Sequence, residues 1–353
     1  MPGAASLVAD EIADVGPAAP AAATGEGVAF VTRGDEVVVA RLDPSATKGS
    51  AKPGKTPIHP IDRDPAEFAT FGRAPAVLDG QVYWVAGTRL LRRPLARGPL
   101  QELARAAREG TRVSAVNTGG KVVVAYIAQG NAGLVARVWI EGHGERDLSP
   151  EGSAANSVAL ASPAPGELIA VALEGRTAMT PVHGRHFTLG KDGAPRFSED
   201  VVVWVGSSAQ PLTELTALAS PSGDVAAFVA IERDVTHFGL AKIPIGARPS
   251  SNVEASWLDY PNGIEPAPVV TGVICGEPMV LYVRPSEARP HAPQELHLAP
   301  LDALGASQIL ARGRTFSDVS LAARDHGALV SYVADRRTWA LGVRCPSKAT
   351  RHH

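Results

Sequence analysis

The chain has 353 residues, a formal net charge of −2 and 45% apolar residues, enough to bury a sizeable core. Nucleic-acid binders rest on phosphate neutralisation and show a basic excess, which is absent. Aromatics are only 5%, which argues against long stacking platforms for single strands or polysaccharides.

The N-terminal MPGAASLVADEIADVG has neither a basic n-region nor a continuous apolar h-region, so it does not read as a signal peptide. No run approaches the ~18 apolar residues of a membrane helix. Residues 1–20 read instead as a strand that pairs with the last strands, or as an Ala/Pro arm.

From Ala21 onward one pattern recurs: a small-residue apolar strand, a Gly-containing turn, then a strongly β-prone strand. The turn glycines are Gly27, Gly80, Gly120, Gly166, Gly223, Gly276 and Gly327, and the six intervals average 50 residues. A period of roughly 40–50 residues with several strands per unit predicts a seven-bladed β-propeller of four-stranded antiparallel blades. One domain then covers 1–353, with 346–353 as a disordered tail. LQELARAAREG from Leu100 reads equally as a short helix or as the fourth strand of the second unit. The last unit ends near Trp339 without a fourth strand, and the N-terminal segment is the spare that would close the ring and hide both edges.

Two hairpins carry Ser-Pro before the turn, Ser162-Pro163 and Ser220-Pro221, and the second reads ASPSGDVAAFVA. This resembles the SPDG repeat of TolB-like, WD40-like propellers, a group that includes the propeller domains of prolyl oligopeptidases. Ser222 stands where that repeat has Asp. The resemblance implies a propeller fold, a periplasmic or secreted setting with the cytoplasm open as the alternative, and a binding scaffold; it transfers no catalytic residue.

In such a fold the loops between second and third strands, and those entering each first strand, share one face. Function sits on such loops. The former pair Arg with acids: Arg33-Gly34-Asp35, Arg89, Glu174 with Arg176, Glu232-Arg233-Asp234, Arg284 with Glu287 and Arg289, and Asp335-Arg336-Arg337. Guanidinium forks suit carboxylates and phosphates; local ion pairs in solvated turns are the plainer reading. His183, His186, His237 and His291 fall in or beside the same loops, where neutral imidazoles can take a metal. Residues starting the first strands point to the channel mouth: Arg73, Arg112, Asn156, Glu214, Glu265 and Asp318. The ligand candidates are therefore Arg73, Arg112, Asn156, Arg176, His186, Glu214, Arg233, His237, Glu265, Arg284, Asp318 and Arg336, with the Gly-turn face inert.

There is no Gly-x-Ser-x-Gly elbow, phosphate loop or paired CxxC. Val82-Tyr83-Trp84 reads as strand core. Cys275 and Cys345 are expected at different radii, hence as free thiols. The sequence thus predicts a monomeric, non-enzymatic binding module for a protein, peptide or small anionic ligand, with no nucleic acid, membrane span or cofactor, though with room for a channel metal ion. The alternative is a metal-assisted hydrolase or lyase using channel-mouth His, Asp and Glu.

Overall fold

The computed structural model describes residues 7–42, 60–61, 63–69, 73–150, 152–174, 180–206, 212–219, 225–234, 237–246, 248–251, 256–261, 268–287, 292–324 and 326–345. Arg176, Gly223, Glu265, Arg289, His291, the Ser220-Pro221 turn and the 346–353 tail lie outside them. Within them the protein is all-β, with a 3-10 turn at Pro65–Glu67 and no α-helix.

Seven antiparallel sheets follow one another along the chain. The first is β2 (Ala21–Ala23), β3 (Gly27–Val31) and β4 (Val37–Arg41); the second is β5 (Ala76–Leu78), β6 (Gln81–Ala86), β7 (Arg89–Pro94) and β8 (Gln101–Ala104). The third is β9 (Ser114–Thr118), β10 (Lys121–Gly130), β11 (Gly133–Ile140) and β12 (Gly144–Asp147). The fourth is β13 (Ala155–Ala164), β14 (Glu167–Glu174) and β15 (Thr180–Leu189), on which both β16 (Pro195–Phe197) and β17 (Val201–Gly206) pair. The fifth is β18 (Leu212–Ala219), β19 (Val225–Asp234), β20 (His237–Pro244) and β21 (Ser256–Pro261). The sixth is β22 (Val269–Ile274), β23 (Glu277–Pro285), β24 (Gln294–Pro300) and β25 (Gln308–Gly313). The seventh is β26 (Phe316–Arg324), β27 (Gly327–Ala334) and β28 (Arg337–Arg344), completed by β1 (Val8–Pro17) from the N-terminus. As expected, β1 lies on the strand of Trp339, with Asp14 opposite it.

The first sheet has three described strands and the fourth has five, against the expected four in each. The Leu100 segment resolves to β8, a strand rather than a helix. His183 and His186 stand within β15, not in a loop, and their odd spacing sends them to opposite faces of the sheet.

The second strand of most sheets is apolar on both faces because each sheet is covered by two neighbours. In β6, Tyr83 and Val85 pack toward the third sheet while Val82 and Trp84 pack toward the first. Tyr83 is fully buried and Trp84 nearly so, which confirms this tripeptide as core. In β27, Val330 and Tyr332 join the layer with the sixth sheet, and Leu329 joins a layer with Phe30 and Val28 of the first. The hydrophobic core is thus divided into layers between successive sheets. The first strands also touch in sequence, β2 to β5, β9, β13, β18, β22 and β26, and β26 touches β2 again.

Hydroxyl groups tie these inner strands across sheets. Ser320 Oγ accepts from Ala23 N–H at 3.0 Å, Ser114 Oγ accepts from Leu160 N–H at 3.0 Å, and the Thr216 and Thr271 hydroxyls meet at 3.0 Å. Small hydroxyl and alanine side chains suit positions where strand backbones of different sheets approach closely.

The cysteine expectation is corrected: Cys275 and Cys345 form a disulfide with Cα atoms 5.6 Å apart. Cys275 occupies a left-handed turn position, φ 57°, beyond the end of β22. Cys345 donates its N–H to His326 O at 2.9 Å, which draws the end of β28 over the turn joining β26 to β27. The two Cys thus meet at the Gly-turn ends of their sheets despite the radial offset expected between them, and the bridge staples the sixth sheet to the seventh.

Candidate functional site

Four of the six residues expected at the starts of the first strands converge. Arg112, two residues before β9, sets its Nη2 3.0 Å from Glu214 Oε1 in β18 and 3.6 Å from Asp318 Oδ1 in β26. Arg73, ahead of β5, brings its Nη2 to 4.0 Å from Glu214 Oε2. Arg112 Nη1 also donates to Val269 O at the start of β22 (3.3 Å). The cluster therefore draws on the second, third, fifth, sixth and seventh sheets. Asn156, at the entry to β13, has a buried amide oxygen of its own.

The local backbone explains how these side chains are aimed. The pairing register shifts between Ala155 and Ser157, between Leu212 and Glu214, and between Phe316 and Asp318. A bulge re-aims the side chain beside it and commonly sits next to functional sites. Equivalent bulges at the entry to β18 and β26 turn Glu214 and Asp318 to their places, and Asn156 is the extra residue of the bulge in β13.

Glu214 and Asp318 are each 3% exposed. Burial pushes the Asp318 carboxyl up, Arg112 pulls it down, Glu214 raises it, and Arg73 and the Val319 N–H lower it, leaving it at about 7. Several buried atoms here have no hydrogen-bond partner: Arg112 Nε and Nη2, both Glu214 oxygens and Asp318 Oδ2. The Arg112–Glu214 pair is close enough for an ion pair but is not aligned as a hydrogen bond. Buried polar atoms are normally satisfied, so such a concentration marks a place where a further partner belongs.

A cavity of about 740 Å³ begins at Arg112 and is bordered by the first strands of all seven sheets. Its wall is mostly small and apolar, with hydroxyls from Ser114, Ser162, Thr216, Thr271 and Ser320. It reaches the turns Thr24–Glu26 and Asp79–Gly80, so the Gly-turn face also borders it.

Of the other expected residues, those whose side chains are described do not join this site. His186 Nε2 lies 3.9 Å from Glu167 Oε2 at the far end of β14. Arg336 is an exposed turn residue with φ 65°. Arg284, in β23, is opposite Glu295. Arg233 and His237 lie in β19 and β20, but their side chains are not among those described. The Arg-and-acid loops pair with one another, as in Arg89 Nη2 of the second sheet with Asp35 Oδ2 of the first at 3.0 Å. His183 is held between Asp200 (2.7 Å) and Glu174 (3.2 Å). Burial pulls its imidazole down, but Asp200 and then Glu174 outweigh burial and hold its pKa above the ordinary value. Among the described residues no three His, Cys, Asp or Glu side chains are placed to hold a metal ion.

No protein-family model matches the chain, and no curated protein sequence matches it. A crystal structure of a protein of unknown function from Dyadobacter fermentans is similar, with a TM-score of 0.50 and 11% identity, covering 98% of this chain and 100% of that one. At this identity the likeness shows the all-β fold of repeated antiparallel sheets and nothing further.

Proposed function

We propose that this chain is a seven-bladed β-propeller closed by β1, and that it is a binding module of TolB-like type for an exported or periplasmic setting, with a small anion as ligand. The propeller reading is supported by the contact of the seventh sheet's first strand with the first sheet's, and by the Leu329–Phe30 layer between those sheets. The exported setting is supported by the Cys275–Cys345 bridge, because disulfides persist in oxidising compartments.

The observation that carries the ligand class is the pair of buried Arg112 donors, Nε and Nη2, left without a hydrogen bond at the end of the cavity. With both carboxylates ionised, Arg73, Arg112, Glu214 and Asp318 sum to zero. With the proton on Asp318 they carry one positive charge. An anion reaching the Arg112 Nε edge favours the protonated form, so its binding tightens as pH falls through about 7.

Calorimetric titration with inorganic phosphate and a panel of small mono- and dicarboxylates, at pH 6 and pH 8, tests this. Expected are binding that is stronger at pH 6 and a loss of about 1.5–3 kcal/mol in Arg112→Ala or Arg73→Ala, the worth of a charged hydrogen bond. Affinity unchanged in both variants, or stronger at pH 8, rules the reading out.

A further inference from the structure

A second cluster lies on the outer strands of the sixth sheet, away from the first strands that border the cavity. His297 of β24 places Nδ1 2.8 Å from Ser307 Oγ and Nε2 3.1 Å from Glu295 Oε2. Glu295 Oε1 accepts from Arg312 Nε at 2.9 Å. The imidazole stacks on Tyr282, with ring centroids 5.3 Å apart and an interplanar angle of 14°. His297 and Glu295 are buried, while Ser307, at the end of the loop between β24 and β25, is partly exposed.

The proton positions follow by elimination. A carboxylate held by Arg312 only accepts, so His297 Nε2 carries the ring hydrogen. Nδ1 then has the lone pair, and Ser307 Oγ–H donates to it. Hydroxyl, imidazole and carboxylate therefore stand in the order that activates a serine, which is recognised by geometry and role rather than by chain position.

We propose that Ser307, His297 and Glu295 form an acyl-transfer centre acting on small carboxylic esters. Ser307 Oγ bonds to the ester carbonyl carbon as its proton passes to His297 Nδ1. The bond to the alcohol oxygen breaks, the alcohol leaves with that proton, and the acyl group stays on Ser307. Water then attacks, giving one proton to Nδ1, which returns it to Ser307 Oγ as the carboxylic acid departs. Glu295 holds the ring and balances the imidazolium. Burial raises the Tyr282 pKa; the charge of Arg284 opposes that rise and helps lower the His297 pKa, so Arg284 supplies positive potential at the site. Burial, then Arg284, keeps the imidazole below its ordinary pKa, so it is a neutral base at pH 7.

The native full chain is treated at pH 7.5 with a fluorophosphonate probe, and the modified residue is located by mass spectrometry. In parallel, p-nitrophenyl acetate hydrolysis is measured for the wild type, Ser307→Ala and Ser307→Cys. Expected are a single label on Ser307, a hydrolysis rate at least tenfold above Ser307→Ala, and alkylation of the introduced thiol at pH 7 faster than that of a free cysteine. Should Ser307→Ala fail to fold, the label position in the wild type and the thiol reactivity decide. An unlabelled Ser307, hydrolysis that survives Ser307→Ala, or an introduced thiol of ordinary reactivity overturns the proposal.

Discussion

Arg112 of the third sheet and Asp318 of the seventh sit 3.6 Å apart at the end of a cavity that all seven sheets border. The guanidinium also reaches Glu214; its Nη1 donates to Val269 O, while Nε and Nη2 are buried without a hydrogen bond. A buried ion pair assembled from distant sheets contributes little net stability, because desolvation offsets its attraction. Its cost is instead visible as pH dependence.

Asp318 gives the first prediction. Its native pKa, about 7, lies above the 3.8 ordinary for an aspartate. The folded state therefore holds the proton over a range where the unfolded state has lost it. Stability contributed by this group is full below about pH 4, falls as pH rises, and is gone above about pH 7. The difference is on the order of 4–5 kcal/mol, from about 1.4 kcal/mol per pKa unit. Urea unfolding of wild type and Asp318→Asn at pH 5 and pH 8 checks it. The variant should lose less stability between the two pH values than the wild type does. Equal losses would contradict the raised pKa.

Arg112→Ala should destabilise the fold by about 3–5 kcal/mol, the usual result of removing one partner of a buried charge pair. Arg112 is the largest influence lowering the Asp318 pKa, so its loss moves that pKa further up. The deficit should therefore be larger at pH 8 than at pH 5. A pH-independent deficit would mean that Arg112 acts by packing alone.

The β-repeat was legible because Gly-turns and two-faced apolar strands report local geometry, and Asp14 against Trp339 fits the spare N-terminal strand. The polar cluster was legible only as a set of equivalent positions: strand-start residues repeat, so Arg73, Arg112, Glu214 and Asp318 could be named together. Their bulges carried no sequence signal, since an extra residue leaves apolar alternation almost unchanged over so short a strand. The Ser307–His297–Glu295 arrangement was hidden because a triad is a matter of geometry, and Ser307 lies across a loop from the other two. The disulfide was missed because it joins the Gly-turn ends of two different sheets, a tertiary contact that no local pattern reports.

Gly27 and Gly327 occupy equivalent places at the start of the second strand in the first and seventh sheets, with φ of 151° and 153°. A Cβ at Gly27 would meet Ala40 O at 2.0 Å, and at Gly327 would meet Val343 O at 1.8 Å. Both clashes are with neighbouring-strand backbone, which cannot yield without breaking the ladder. Gly80, with φ 70°, faces open space. Gly80→Ala should therefore cost only about 1 kcal/mol of backbone strain. Gly27→Ala and Gly327→Ala should each cost well over that, measured as a shift of the urea midpoint. Three equal shifts would show that left-handed φ, not strand proximity, sets the requirement.

The Cys275–Cys345 bridge closes a loop with a sequence separation of 70 residues and ties the sixth sheet to the seventh, where β1 completes the edge. Chain-entropy reasoning gives about 4 kcal/mol for a loop of that length, acting through the unfolded state. The denatured, unreduced protein should show no free thiol, and two after reduction. Reduction, or Cys275→Ser with Cys345→Ser, should lower unfolding stability by a few kcal/mol. The native sheets should persist in the far-ultraviolet circular dichroism, because the layer containing Leu281, Val330 and Leu341 still joins the two sheets. Protease sensitivity should rise first near β1 and β28, since β1 is held to the protein mainly by its ladder with β28. Cleavage that instead begins in the third or fourth sheet, with β1 protected, would show that the bridge does not govern this seam.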